Sequence, residues 1–143
     1  MVYAYPVEFR KDQNGTVIAL IPDVPGTMTV GADRAEAFER IHGALVAMLA
    51  ARLSDHERIP RPSRPARGQR IATLSPLVAA KVSIHEALSA RRKSPEELRQ
   101  RLGWNEARLR GVLDLRHRSR FEDVEALLKL LGKRLVVAVE NAA

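Results

Sequence analysis

The first thirty residues alternate between hydrophobic and polar positions. Residues 3–9 place an aromatic or aliphatic side chain at every second position, which predicts a half-buried strand. Asn14-Gly15 is a strong signal for a hairpin turn, so residues 16–21 are predicted to form the second strand. Residues 27–30 are predicted as a short third strand. The pattern therefore indicates a three-stranded antiparallel meander.

A helical period replaces this alternation after residue 32. Asp33 is a good N-cap, and Glu36 follows it three residues later, as in a capping box. Apolar residues then recur at helical spacing through Leu53: Ala37, Ile41, Ala44, Leu45, Met48 and Leu49. One amphipathic helix lying across a three-stranded sheet is a small α+β layer.

The second half of the chain is mainly helical by the same criteria. A short strand at 71–74 precedes a helix predicted from 76 to about 92, and a closing helix spans 121–131. The β-rich run 135–139 predicts a terminal strand, whose one possible partner inside its own subunit is 71–74. We expect it to pair instead with a second subunit, which predicts a homodimer or a higher homo-oligomer.

Two shorter helices are predicted between the long ones. Ser94 and Glu97 form a capping box, with Pro95 at the first helical position. Gly103 can take the left-handed conformation that ends a helix, and Asn105 is a good N-cap for the next one. This order is typical of a helix-turn-helix module, which lays one helix in a DNA groove. The apolar seam between the helices is predicted to contain Leu98, Leu102, Leu109, Val112 and Leu113, with Trp104 packed at the turn.

Basic residues gather on the second short helix and in the loop after it. Arg108 and Arg110 lie where a recognition helix carries its groove-facing side chains, and the loop arginines are placed to bind phosphates. The candidate DNA-binding residues are Asn105, Glu106, Arg108, Arg110, Arg116, His117, Arg118 and Arg120. An ordinary helical hairpin with a solvated basic face is the alternative interpretation.

Charge is distributed unevenly along the chain. Residues 1–57 hold 5 Lys/Arg and 8 Asp/Glu, whereas 71–143 hold 14 Lys/Arg and 9 Asp/Glu. Between them, 58–70 (RIPRPSRPARGQR) holds five arginines at every third position and no acid. Its prolines favour an extended path, so it is predicted as a linker between two domains. The alternative is an arm that binds nucleic acid or a partner.

Several functional classes find no support in the sequence. The chain has no cysteine, which excludes disulfides and thiolate metal sites. No apolar run approaches the roughly 20 residues that span a bilayer, and no signal peptide opens the chain, so we expect a cytoplasmic protein without membrane contact. The carboxylates of the front half do not converge, and the histidines lack a second ligand at metal-binding spacing. We therefore expect no catalytic residues, no metal and no cofactor.

Motifs in both halves of the chain resemble the HicB antitoxins. In the front half these are Y-P-V-E, N-G-T-V-I-A-L-I-P-D-V-P-G and G-A-D-R-A-E-A-F-E-R. In the back half, L-V-A-A-K-V-S-I-H-E-A-L, R-Q-R-L-G-W-N-E-A, L-R-H-R-S-R and L-G-K-R-L-V-V-A-V-E resemble a branch of that family with a helix-turn-helix tail. One departure is Thr27-Met28-Thr29, where the family often carries a cysteine or a charged residue.

The resemblance implies both a fold and a function. Residues 1–57 would form a truncated ribonuclease H-like, toxin-binding domain, and 71–143 a helix-turn-helix domain for DNA binding and dimerisation. The chain would bind and neutralise a HicA-type toxin, an mRNA-cleaving endoribonuclease, and repress its own operon by binding operator DNA. The acidic front would attract a basic toxin. The alternative is a stand-alone transcriptional regulator with a ligand-sensing front domain.

Overall fold

The computed structural model describes residues 3–142 and divides the chain into two compact units. The front unit ends at Ser75 and the back unit begins at Pro76. The front unit contains β1 (Ala4–Pro6), β2 (Glu8–Lys11), β3 (Val17–Leu20), β4 (Met28–Gly31), α1 (Arg34–Ser54) and β5 (Ile71–Thr73). The back unit contains α2 (Pro76–Arg91), α3 (Pro95–Leu102), α4 (Glu106–Leu113) and α5 (Phe121–Leu130). The predicted α+β class is confirmed.

The predicted meander is present as the antiparallel sheet β2-β3-β4. Ala19 lies at its centre, opposite Phe9 on one side and Thr29 on the other. The β2–β3 turn is closed by the backbone N–H of Asp12, which donates to the Thr16 carbonyl at 2.9 Å. The hairpin signal in the sequence therefore identified the right strand pair.

The first predicted strand is in fact two strands with different partners. β1 pairs antiparallel with β5, whereas β2 pairs with β3. The change occurs at Val7, whose N–H donates to the Arg70 carbonyl at 2.9 Å. A period of two identifies which side chains are buried, but it does not identify the neighbouring strand.

Helix α1 packs on one face of the three-stranded sheet. Asp33 caps the helix, because its Oδ1 accepts the Glu36 N–H at 2.8 Å. Gly31 lies so close to α1 that a Cβ there would be 2.4 Å from the Ala37 nitrogen. The helix buries Ala37, Ile41, Leu45 and Leu49. Because side chains alternate across a strand, Thr29 shares the α1 side of β4 with Gly31, and Met28 and Val30 point away.

The arginine-rich segment 58–70 is not a free hinge. Tyr5 Oη donates to the Pro60 carbonyl at 2.6 Å, and the Ser63 N–H donates to Asp23 Oδ2 at 2.7 Å. After the segment, β5 pairs with β1 in the front unit. The predicted boundaries at residues 57 and 71 therefore differ from the structure, in which the unit boundary follows Ser75. Composition alone did not reveal these long-range hydrogen bonds.

The four helices of the back unit surround one hydrophobic core. Its fully buried members include Ile84, Leu98, Val124, Leu127 and Leu131. The residues predicted for the seam between α3 and α4 all belong to this core or pack against it. The predicted order of short helix, turn, short helix and closing helix is thus confirmed.

The predicted terminal strand is absent from the described chain. Residues 133–142 belong to no helix or strand, and the Ile71–Thr73 segment is already paired with β1. Val136, Val137 and Val139 are 71%, 66% and 95% exposed, while Leu135 packs against the helical core. Within residues 3–142, this run has no strand partner.

Candidate nucleic-acid interface

The helix pair α3 and α4 is fixed by local caps that the sequence predicts. Ser94 Oγ accepts the Glu97 N–H at 3.2 Å, and Pro95 opens α3. Gly103 ends α3 with a φ of +68°, a left-handed conformation that glycine adopts without a steric cost. Asn105 caps α4 through its Oδ1, which accepts the Arg108 N–H at 2.8 Å. The candidate residue Asn105 is therefore engaged as a cap.

Arg108 joins α4 to the start of α5. Its guanidinium donates to Asp123 through Nη2 at 2.6 Å and through Nε at 3.3 Å. The same group lies 4.9 Å from the centre of the buried Trp104 ring. The hydrogen bond from Arg108 lowers the pKa of Asp123. The sequence predicted a groove-facing role for Arg108 and missed this contact with α5.

Glu106 and Arg110 lie one turn apart on the exposed side of α4. Their side chains form an ion pair, with Arg110 Nη2 3.1 Å from Glu106 Oε1. Exposed pairs of this spacing contribute little stability, at most about 0.5 kcal/mol, so both side chains can exchange this contact for another at small cost. They are the candidate residues on α4 that the fold leaves accessible.

The loop between α4 and α5 carries four more candidates. Arg116 and Arg118 are exposed, and no carboxylate lies within 4.0 Å of either guanidinium in residues 3–142. Arg120 precedes α5, and its Nε lies 3.9 Å from Glu122 Oε2. His117 Nδ1 lies 3.1 Å from Ser119 Oγ, inside the loop. The loop thus presents two cations without a carboxylate partner beside α4.

Lys81, on α2, holds this loop in place. Its side chain is fully buried, and its Nζ donates to the backbone oxygens of Gly111 at 3.0 Å, Asp114 at 2.7 Å and His117 at 2.7 Å. Ser119 Oγ accepts from the same nitrogen at 2.8 Å. Burial lowers the pKa of Lys81, and the charge of Asp114 opposes that shift.

His85, one turn after Lys81 on α2, also binds the backbone at the end of α4. Its Nε2 lies 2.6 Å from the Leu113 carbonyl, so the ring donates to the end of α4. Burial lowers the pKa of His85, which favours the neutral ring. The sequence held a signal for Lys81, since it lies among the inward positions Leu77, Ala80 and Ile84 of α2. A lysine on an apolar face needs buried acceptors.

The front unit presents an apolar surface on the side of its sheet that α1 does not cover. Met28 and Val30 are 56% and 43% exposed there. Leu20 lies opposite Met28, and Ile18 opposite Val30, and both are half-exposed. Exposed apolar patches of this kind mark protein interaction sites in many proteins.

Residues 3–142 contain neither a cluster of metal ligands nor a membrane-spanning helix. No three His, Cys, Asp or Glu side chains lie together as a metal-ion site requires. No helix in this range combines the length and apolar character of a membrane span.

Comparison with known families decides the family of the chain. A model of the HicB-like antitoxins of bacterial toxin–antitoxin systems matches residues 4–83, more than half of the chain. The chain belongs to this family. The matched HicB-like range covers the described front unit and continues into α2 as far as Ser83, so it includes Lys81.

Curated relatives of this HicB-like chain extend the match over nearly its whole length. Antitoxin HicB 2 of Photorhabdus laumondii is 30% identical over 131 residues, which cover 92% of this chain and 92% of the relative. Antitoxin HicB of Escherichia coli K12 is 28% identical, over 92% and 95% of the two chains. Antitoxin HicB of Pseudomonas fluorescens is 27% identical, over 99% and 97%. The similarity therefore includes the back unit.

Proposed function

We propose that this chain is an antitoxin that neutralises a HicA-type toxin through its front unit and represses its own operon through its back unit. The family supports the toxin partner, because its members belong to toxin–antitoxin pairs. The observation that carries the DNA-binding half is the loop after α4. It presents Arg116 and Arg118, which have no carboxylate partner among the described residues, and buried Lys81 fixes its backbone. In this proposal neither unit is an enzyme.

In this proposal, α3 and α4 form a helix-turn-helix module with α4 in the major groove. Glu106 and Arg110 would face base edges, because they are exposed and only weakly held by each other. Arg116 and Arg118 would bind phosphates on the flanking backbone. Arg108 would contribute mainly by orienting α4, since Asp123 and Trp104 already hold its guanidinium.

The proposed toxin contact is the exposed apolar sheet face around Met28 and Val30. Attraction between an acidic front unit and a basic toxin is less strongly supported than the sequence suggested. The front unit includes the five arginines of 58–70, so residues 1–75 hold 10 Lys/Arg against 8 Asp/Glu. Apolar burial at this face offers a source of affinity that does not need an acidic surface. By resemblance we assign the sheet and α1 to a truncated ribonuclease H-like fold.

The DNA proposal is tested with promoter DNA from upstream of the gene. Arg116→Ala with Arg118→Ala should weaken binding and flatten its salt dependence by roughly 0.9 log units per lost phosphate contact. Arg110→Ala should cost roughly 1–3 kcal/mol on the operator and less on other sequences. Arg10→Ala with Arg40→Ala is the control, because both pair with front-unit carboxylates. Operator affinity that is unchanged in both test proteins contradicts the DNA-binding proposal.

The toxin proposal is tested by co-expression with the adjacent toxin gene and pull-down. Met28→Asp with Val30→Asp should abolish capture of the toxin and protection of cells, while operator binding remains. Ala35→Asp with Ala51→Asp adds the same charge at exposed positions of α1 and should have little effect. If the unmodified protein binds operator but captures no toxin, the alternative of a stand-alone regulator is favoured.

A further inference from the structure

Five arginines follow a fixed path along the front unit. The backbone around them is held at Pro60 by Tyr5 and at Ser63 by Asp23. Gln69 continues the attachment, because its Nε2 donates to the Val7 carbonyl at 3.3 Å. The segment 58–70 is therefore an ordered part of the surface, and a ligand that binds it would not have to order a free linker.

Within residues 3–142, the arginines of this segment lack the carboxylate partners that three other front-unit arginines have. All five are exposed, and none has a carboxylate within 4.0 Å in residues 3–142: Arg58, Arg61, Arg64, Arg67 and Arg70. By contrast, Arg10, Arg40 and Arg52 in the same unit are paired with glutamates. An unneutralised row of arginines on a fixed backbone is typical of a surface that binds a polyanion.

Aromatic rings hold two arginines at this surface. The Arg70 guanidinium lies 3.9 Å from the centre of the Phe38 ring, and the Arg34 guanidinium lies 4.5 Å from that of Phe9. The two rings are themselves 6.5 Å apart. Stacking fixes the plane of a guanidinium while its N–H groups stay available to phosphate oxygens. The basic surface thus extends from the segment to the start of α1.

We propose that this arginine surface, formed by 58–70 together with Arg34, is a second nucleic-acid-binding site that binds the phosphodiester backbone without reading sequence. Arginine suits this ligand because its fork donates two parallel hydrogen bonds to one phosphate. The surface lies in the front unit and does not include the α4 loop, so the site goes beyond the proposed operator contact. RNA and DNA share the backbone chemistry, and the choice of probe separates them.

The test uses the full chain with the back-unit loop silenced by Arg116→Ala and Arg118→Ala. Arg61→Gln and Arg64→Gln are added to this background, and the control adds Arg10→Gln and Arg40→Gln, which removes equal charge from paired arginines. Fluorescence anisotropy measures binding to a single-stranded RNA, a single-stranded DNA of the same sequence and a duplex without operator. Circular dichroism checks that the variants keep their helical content.

The background protein should bind at least one probe at low salt. The probe bound most tightly shows whether the ligand is RNA, single-stranded DNA or duplex DNA. The test pair should lose about tenfold in affinity, and its salt dependence should fall by roughly 0.7 log units per lost contact to a single strand. The control pair should lose much less. Absence of binding by the background protein, or equal losses in the two pairs, overturns the proposal. Because the operator loop is already silenced, neither outcome depends on the proposed repressor function.

Discussion

At the scale of single residues, one buried ammonium group shapes the loop that we assign to DNA. Four oxygens surround Lys81 Nζ within 3.0 Å, and three of them are backbone carbonyls at or after the end of α4. Carbonyls at a helix C-terminus have no partner within the helix and need donors from elsewhere. Lys81 and His85 supply these donors from α2, so the surface position of Arg116 depends on residues that never reach the surface.

Lys81→Met should destabilise the protein because it removes a buried donor shared by three backbone carbonyls. The Gly111 and Asp114 carbonyls keep other donors, whereas the His117 carbonyl keeps none among the described residues. We expect the free energy of unfolding to fall by about 2–4 kcal/mol, measured by chemical denaturation. The control Lys129→Met removes an exposed lysine from α5. It should change the free energy of unfolding by less than about 0.5 kcal/mol. A loss for Lys81→Met no larger than that of this control would show that the carbonyls find other partners.

His85 should make stability depend on pH. Burial holds its pKa below the ordinary value of about 6.5, so the unfolded chain takes up the proton first as the pH falls. The free energy of unfolding should therefore decrease from about pH 6.5 downward, toward the folded pKa, and should be insensitive to this group above that range. His85→Gln keeps a donor for Leu113 but does not titrate, so its pH profile should be flatter. Equal profiles for His85→Gln and the exposed-site control His56→Gln would contradict this assignment.

At the scale of elements, local signals predicted the helices and long-range pairing escaped prediction. Asp33, Ser94 and Asn105 cap helices where the sequence places them, because a cap depends on residues only three positions apart. The β1–β5 pair joins residues 4–6 to 71–73, and no local pattern specifies such a partner. The candidate site shows the same difference. The exposed arginines can be identified from the local sequence, whereas the contact of Arg108 with Asp123 depends on how α4 packs against α5.

The β1–β5 pair defines the smallest front fragment that can fold. A fragment of residues 1–57 lacks β5 and leaves the hydrogen-bonding edge of β1 open, so we expect it to aggregate or remain largely unfolded. A fragment of residues 1–75 should give a cooperative unfolding transition and capture the toxin without binding operator DNA. Heteronuclear NMR spectra and pull-down measure the two properties. Dispersed spectra from the 1–57 fragment would show that β5 is dispensable.

At the scale of the whole molecule, the exposed valines near the C-terminus favour self-association. Val136, Val137 and Val139 are largely exposed, and no strand of the described chain pairs with them. β5 pairs with β1 along one edge and does not pair with the valine run in the described chain, so a second copy is the partner we predict for this run. A two-fold dimer would also place two copies of α4 in successive major grooves about 34 Å apart. This arrangement would couple dimerisation to operator affinity.

Replacing all three valines by serine should therefore give a monomer with much weaker operator binding and unchanged toxin capture. The triple variant keeps Leu135, which packs against the helical core, so the back unit should retain its fold. Deletion of residues 134–143 also removes the contact of Leu135 with the core. Comparing the deletion with the serine variant separates the effect of losing the dimer from the effect of weakening the core. Light scattering gives the mass, and gel shift gives the affinity. If the serine variant keeps the mass of the parent, any dimer forms through another surface. If it becomes monomeric but binds operator as tightly as before, the two DNA-binding units act independently and the valines serve assembly alone.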